Sequence, residues 1–88
     1  MFDIKYTKQA IKEIQNLKSA NLDNTAKQLI EIIKYNPFQN PPPYEKLKSN
    51  LLGAYSRRIN RKHRLVYEVL ESENTVKIIS MWTHYENI

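Results

Sequence analysis

Three side chains, widely separated in the chain, are of the types that RNA cleavage needs: Glu45, Arg64 and His84. RNA carries its own nucleophile, the 2′-hydroxyl. An enzyme that cuts it needs a base to take the 2′ proton, cations to offset charge building on the phosphorane, and an acid to protonate the departing 5′ oxygen. Glu45 stands among Lys46, Lys48 and the arginines of the 57–64 stretch and is the candidate base. Arg64, with Lys48 and Arg58, is the candidate phosphate holder, since a guanidinium grips a phosphate by paired hydrogen bonds. Arg57 is a further candidate contact to substrate. His84 is the candidate acid, because imidazole changes charge near neutrality. Tyr85, next to it, is the aromatic best placed to stack on a base. His63 is a second candidate acid, but its expected place in a turn favours plain exposure.

Each residue also has a plainer reading. Glu45 fits a strand-end carboxylate in a surface ion pair, Arg64 a solvated strand residue, and His84 a packed or solvated histidine. Tyr44, Tyr55, Tyr67 and Trp82 suit a core at least as well as a binding platform. Residue types and spacing alone leave ribonuclease action and simple binding both open.

Other chemistries are poorly served. With two histidines and no cysteine, the chain has no thiolate metal site and no disulfide framework, and no paired carboxylates stand at ligand spacing. A single glycine excludes phosphate-cradling glycine loops. A glycine-flanked serine elbow is missing, and no carboxylate pair stands out for sugar hydrolysis. The charge is unevenly placed. Between Glu45 and Tyr67 there are seven cations and one anion, a net of +6, so the remainder carries −1 of the total of +5. Such a block is the footprint of a phosphate-backbone binder, although a solvated basic face or a site for an acidic protein segment has the same signature. No stretch approaches the roughly 18 apolar residues of a membrane span, and the N-terminus lacks the apolar run of a signal peptide. A soluble, cytoplasmic protein with no membrane contact is the expectation.

The elements that must position these residues are legible. Eighty-eight residues bound one domain, 1–88, with a thin core. Phe2, Ile4 and Tyr6 alternate with polar residues and predict a short strand. Thr7 is the expected N-cap of a first helix with the stripe Ala10, Ile11, Ile14 and Leu17. A second helix, capped by Asn21 or Asp23, carries Ala26, Leu29, Ile30 and Ile33 and must end before Pro37. Pro37, Pro41, Pro42 and Pro43 predict a stiff, extended connector. Strands are then expected at 44–48, 54–59, 64–70 and 75–83. Tyr55, Ile59, Leu65 and Val66 should face a core, and Gly53 should serve the turn at 49–53. The architecture is α+β: a small, antiparallel-rich β-α-α-β-β-β-β sheet with a helical hairpin packed on one face.

One specific similarity adds to this reading. Pro37-Phe38, Glu45-Lys46-Leu47-Lys48, Asn50-Leu51, Gly53, Tyr55-Ser56-Arg57-Arg58-Ile59, His63-Arg64-Leu65-Val66-Tyr67 and His84-Tyr85 resemble the YoeB/Txe family of bacterial toxins. That family belongs to the RelE-like superfamily of toxin–antitoxin endoribonucleases. The resemblance implies a RelE-like, microbial ribonuclease-type fold and a ribosome-dependent mRNA interferase that cuts mRNA in the ribosomal A site without a metal or other cofactor. It implies Glu45 as general base, Arg64 as the transition-state arginine, His84 as general acid followed by the aromatic Tyr85, and Lys48 and Arg58 as supporting cations. It also implies an acidic YefM/Axe-like antitoxin partner, with a homodimer or a toxin–antitoxin hetero-oligomer open. There are two departures: the tail Glu86-Asn87-Ile88, where many relatives stop at or near the His-Tyr pair, and Ala54, where a bulkier residue is often seen. Two rivals stand beside this reading: a non-catalytic nucleic-acid-binding module, and a gyrase-directed relative of the same fold.

Overall fold

The computed structural model describes residues 1–47 and 53–84. Strand β1 (Asp3–Tyr6) leads directly into helix α1 (Lys8–Ser19). Thr7 caps this helix as expected. Its Oγ1 accepts from the Ala10 amide at 3.1 Å and donates to the Ile79 carbonyl at 2.7 Å, which ties the helix start to the sheet.

Helix α2 (Asp23–Tyr35) begins differently from the expectation. Neither Asn21 nor Asp23 gives a side-chain capping bond, and Leu22 occupies the N-cap position. Asn21 belongs instead to the end of α1. It takes φ 59°, the left-handed geometry that asparagine tolerates, while the Leu22 amide donates to the Leu17 carbonyl at 2.8 Å and the Asn21 amide to that of Lys18 at 3.1 Å. This is the six-to-one and five-to-two pattern of a Schellman ending.

The sheet has five strands in the order β1-β5-β4-β3-β2. Here β2 is Tyr44–Lys46, β3 Ala54–Arg58, β4 His63–Leu70 and β5 Thr75–His84. β1 pairs parallel with β5, and the other three pairs are antiparallel. Gly53 enters β3 at φ +84°, where a side chain would be strained. The β3–β4 turn is built on Asn60, whose Oδ1 accepts from the amides of Lys62 and His63 at 3.0 and 2.8 Å.

Both helices cover one face. Ala10, Leu17, Ala26, Leu29 and Ile33 pack there against Ile59, Leu65, Tyr67, Val76, Ile78 and Met81. Two expected core residues lie elsewhere. Ile11 is 56% exposed, off the inward stripe of α1. Val66, one residue after Leu65, points to the opposite face because strand side chains alternate, and joins Leu47, Ala54 and Ile79 in a small second cluster. That second face carries the candidate site.

The β4–β5 ladder is irregular, with register shifts between Arg64 and Val66 and between Val66 and Tyr67. Glu13 of α1 fills the break. Its carboxylate accepts from the Met81 amide at 2.8 Å and from the Ser80 hydroxyl at 3.2 Å, satisfying polar groups that a bulge takes out of the ladder.

The proline segment is not the straight connector that its composition predicts. It turns at 37–38 and bends at 41–42, and three of its carbonyls are drawn onto one buried side chain, Arg57.

Candidate active site

Short strands, read across, assemble the site. Glu45 on β2 pairs with Ser56 on β3, and Arg58 on β3 pairs with Arg64 on β4. Alternation puts Glu45, Ser56, Arg58 and Arg64 on the face away from the helices. Arg64 is 3% exposed although it is a cation, and its Nε donates to the Ser56 hydroxyl at 2.6 Å. Its Nη2 lies 3.4 Å from Glu45 Oε1. Glu45, Arg58, Arg64, Pro42 and Pro43 line one open cleft of about 350 Å³.

The electrostatics follow from the pairing. Two arginines directly opposite each other on one sheet face repel, and Glu45 lies beside Arg64. An anion held between Arg58 and Arg64 would relieve that repulsion. The cleft therefore suits a phosphate next to a carboxylate able to take a proton.

His84 is not among the residues lining this cleft. It ends β5, one residue beyond Thr83, which pairs with Arg64. His84 itself pairs with His63, and the two rings meet edge to face at 4.9 Å. The expected base, Glu45, and the expected phosphate holders, Arg58 and Arg64, thus share one cleft, whereas the expected acid sits beside it at the strand end, exposed. Lys48 and Tyr85 lie outside the described residues.

Two expectations are corrected. Arg57, expected to contact substrate, is fully buried on the helix side of the sheet. Consecutive strand residues face opposite ways, so only Arg58 of the Arg-Arg pair reaches the cleft. His63, expected to be exposed in a turn, is the buried first residue of β4, stacked on Trp82 with centroids 3.7 Å apart. Its Nδ1 finds no hydrogen-bond partner among the described residues. The aromatics serve packing: Phe38, Tyr44, Tyr55 and Tyr67 form a continuous ring cluster.

Ser56 is the site residue that sequence reasoning missed. The signal was present. A small polar residue in mid-strand, two before Arg58, falls on the same face as the cations.

A model of the YoeB-like toxin of bacterial type II toxin–antitoxin systems matches residues 6–85. The chain belongs to this family. A Toxin YoeB from Synechocystis sp. is 45% identical over 58 residues, covering 66% of this chain and 65% of that protein, so the matched stretch is just under two thirds of the relative's length. Among solved structures, a YoeB/ParE toxin from Agrobacterium tumefaciens superimposes with a TM-score of 0.85 at 28% identity, covering 96% of this chain and all of that one. A chain of a YoeB–YefM complex from Staphylococcus aureus does so with a TM-score of 0.80 at 38% identity, covering 97% of this chain and 99% of that one. The α+β sheet with its two helices is therefore the YoeB-like toxin fold. No described helix is long and apolar enough to cross a membrane.

Proposed function

We propose that this YoeB-family chain is a ribosome-dependent mRNA endoribonuclease that cuts mRNA in the A site, arrests translation, and is neutralised by a YefM/Axe-like antitoxin. The observation that carries the reading is the cleft in which Glu45 lies 3.4 Å from Arg64, with Arg58 paired opposite Arg64. Family membership supports the toxin role. A Staphylococcus aureus relative, 38% identical, was solved as a YoeB–YefM complex, and a second structure from that organism is a YoeB dimer; both assemblies are proposed for this chain. It acts in the cytoplasm, where translating ribosomes are found.

In the proposed mechanism Glu45 takes the proton of the 2′-hydroxyl. The 2′ oxygen bonds to the adjacent phosphorus, and Arg64 and Arg58 offset the charge that builds on the phosphorane oxygens. The bond from phosphorus to the 5′ oxygen breaks, and His84 supplies that oxygen with a proton. The product end is a 2′,3′-cyclic phosphate or the 3′-phosphate formed from it. His84 closes on the leaving oxygen when RNA is bound, in keeping with catalytic contacts that tighten only in the substrate complex. Lys48 and Tyr85 add a phosphate contact and a stacked base. Each step uses the chain's own side chains and needs no metal. Stripping metal from the protein before it meets ribosomes should leave cleavage undiminished.

Primer extension on a translated message tests the reading. Wild-type protein should give sharp new ends, and Glu45→Gln should give none. Equal ends from both proteins refute the role of Glu45. Binding without new ends from either protein favours a non-catalytic nucleic-acid-binding module.

A further inference from the structure

Arg57 is a buried cation. It is 0% exposed, and among the described residues no acidic side chain pairs with it. Burying a charge is costly unless hydrogen bonds replace its water. Here the replacement is dense. Nη1 donates to the Pro42 carbonyl at 2.6 Å, Nη2 to those of Pro37 and Gln39 at 3.0 and 2.9 Å, and Nε to the Tyr67 hydroxyl at 3.1 Å. The Tyr67 hydroxyl in turn donates to Pro37 at 2.8 Å. The guanidinium also lies 5.0 Å from the Tyr44 ring centre, within cation–π range.

These partners are not scattered. Pro42 and Pro43 form a wall of the cleft, and Tyr44 immediately precedes Glu45. Arg57 also pairs across the sheet with Tyr44, while its neighbour Arg58 enters the cleft on the other face. One side chain therefore reaches from behind the sheet to the segment that carries the base.

We infer that Arg57 is a positioning residue for the cleft, fixing Pro42, Pro43 and Glu45 relative to Arg64. The inference deepens the ribonuclease reading and rests on it for its kinetic consequence. Lysine cannot replace the arginine. Its single ammonium has three donors at one point, whereas the observed contacts need a planar fork reaching four oxygens in different directions.

The test uses the full chain with Arg57→Lys, Tyr67→Phe and, as control, Glu45→Gln. It has two readouts: amide exchange at Phe38, Gln39 and Tyr44–Lys46, and single-turnover cleavage of mRNA on programmed ribosomes. For Arg57→Lys, exchange of those amides should accelerate while β4 and β5 stay protected. The maximal rate should fall roughly tenfold to a hundredfold with KM within about twofold, as expected when a base is displaced by a fraction of an ångström. Tyr67→Phe should shift both readouts in the same direction by less. A merely stabilising arginine would lower the melting temperature and leave the maximal rate of the folded protein unchanged. That result, with Glu45→Gln inactive, overturns the inference. If Arg57→Lys does not fold, Tyr67→Phe decides: unchanged exchange and rate overturn it, and faster exchange with a slower rate supports it. If Glu45→Gln cuts like wild type, the role of Glu45 as base fails by itself, and the exchange data still report whether Arg57 holds the segment; if the wild-type chain does not cut, the ribonuclease reading fails and the exchange data still stand.

Discussion

Arg64 Nη2 stands 3.4 Å from Glu45 Oε1, and the two side chains differ sharply in exposure, 4% for the arginine and 60% for the carboxylate. A strong charge-assisted hydrogen bond is about 2.7–2.9 Å long. The pair is therefore poised rather than clamped: a buried cation, oriented by Ser56, faces a carboxylate that solvent can reach. An ion pair of this kind adds little to stability. Glu45→Gln should change unfolding free energy by under about 1 kcal/mol while lowering cleavage at least a hundredfold, the scale on which acid–base groups contribute. Chemical denaturation and single-turnover assays on one preparation check both halves.

Ser56 should matter through Arg64. Ser56→Ala removes the oxygen that accepts from Arg64 Nε at 2.6 Å. A buried donor left without that acceptor costs about 1–3 kcal/mol, and the guanidinium loses its orientation toward the cleft. The expected outcome is a lower melting temperature together with a roughly tenfold slower maximal rate, the order that misplacement of a catalytic group produces. KM should change little.

Glu13 lies on a helix away from the cleft, yet it should affect the strand that ends in His84. Its carboxylate accepts from the Met81 amide at 2.8 Å within the β5 irregularity. Glu13→Ala leaves that amide unpaired at a cost of about 1–3 kcal/mol. Thermal unfolding should register the loss. Amide exchange should accelerate at Met81 and Trp82 and leave the β2–β3 pairing unaffected.

Alkaline stability should carry the mark of Tyr67. Burial pushes this phenol above its ordinary value of 10.0, against the opposing pull of Arg57. Above that pH the folded protein keeps a proton that the unfolded chain has released. The folded state then binds more protons, and stability falls as pH rises. Below it the contribution is fully present. Urea midpoints measured upward from about pH 9 should decline more steeply for wild type than for Tyr67→Phe.

Much of this molecule can be read from its residues, and where the reading stops there is a physical cause. The order of elements follows from period and punctuation: Phe2-Ile4-Tyr6 alternation, the helical stripes, Pro37 and Gly53. The side of the sheet on which a residue sits was harder to read. Arg57 and Arg58 are the same residue type in adjacent positions, and only the register with β2 and β4 decides which is buried and which lines the cleft. His63 reads as a turn residue, but Asn60 closes the turn one residue earlier than composition suggests. The fold of the proline segment depends on Arg57, a contact between residues 15 to 20 apart that no local pattern encodes. Chemistry and resemblance point to Glu45 and Arg64, and their convergence depends on three strands pairing in one register.

The most direct test replaces the nucleophile rather than the protein. Ribosomes are programmed with an mRNA bearing a single 2′-deoxy nucleotide on the 5′ side of the cleaved linkage, and single-turnover cleavage there by the wild-type chain is compared with that of the all-ribo message. If Glu45 acts by taking the 2′ proton, the deoxy message survives intact at that linkage while the ribo message is cut to a 2′,3′-cyclic or 3′-phosphate end. Cleavage of the deoxy linkage at an undiminished rate contradicts the account.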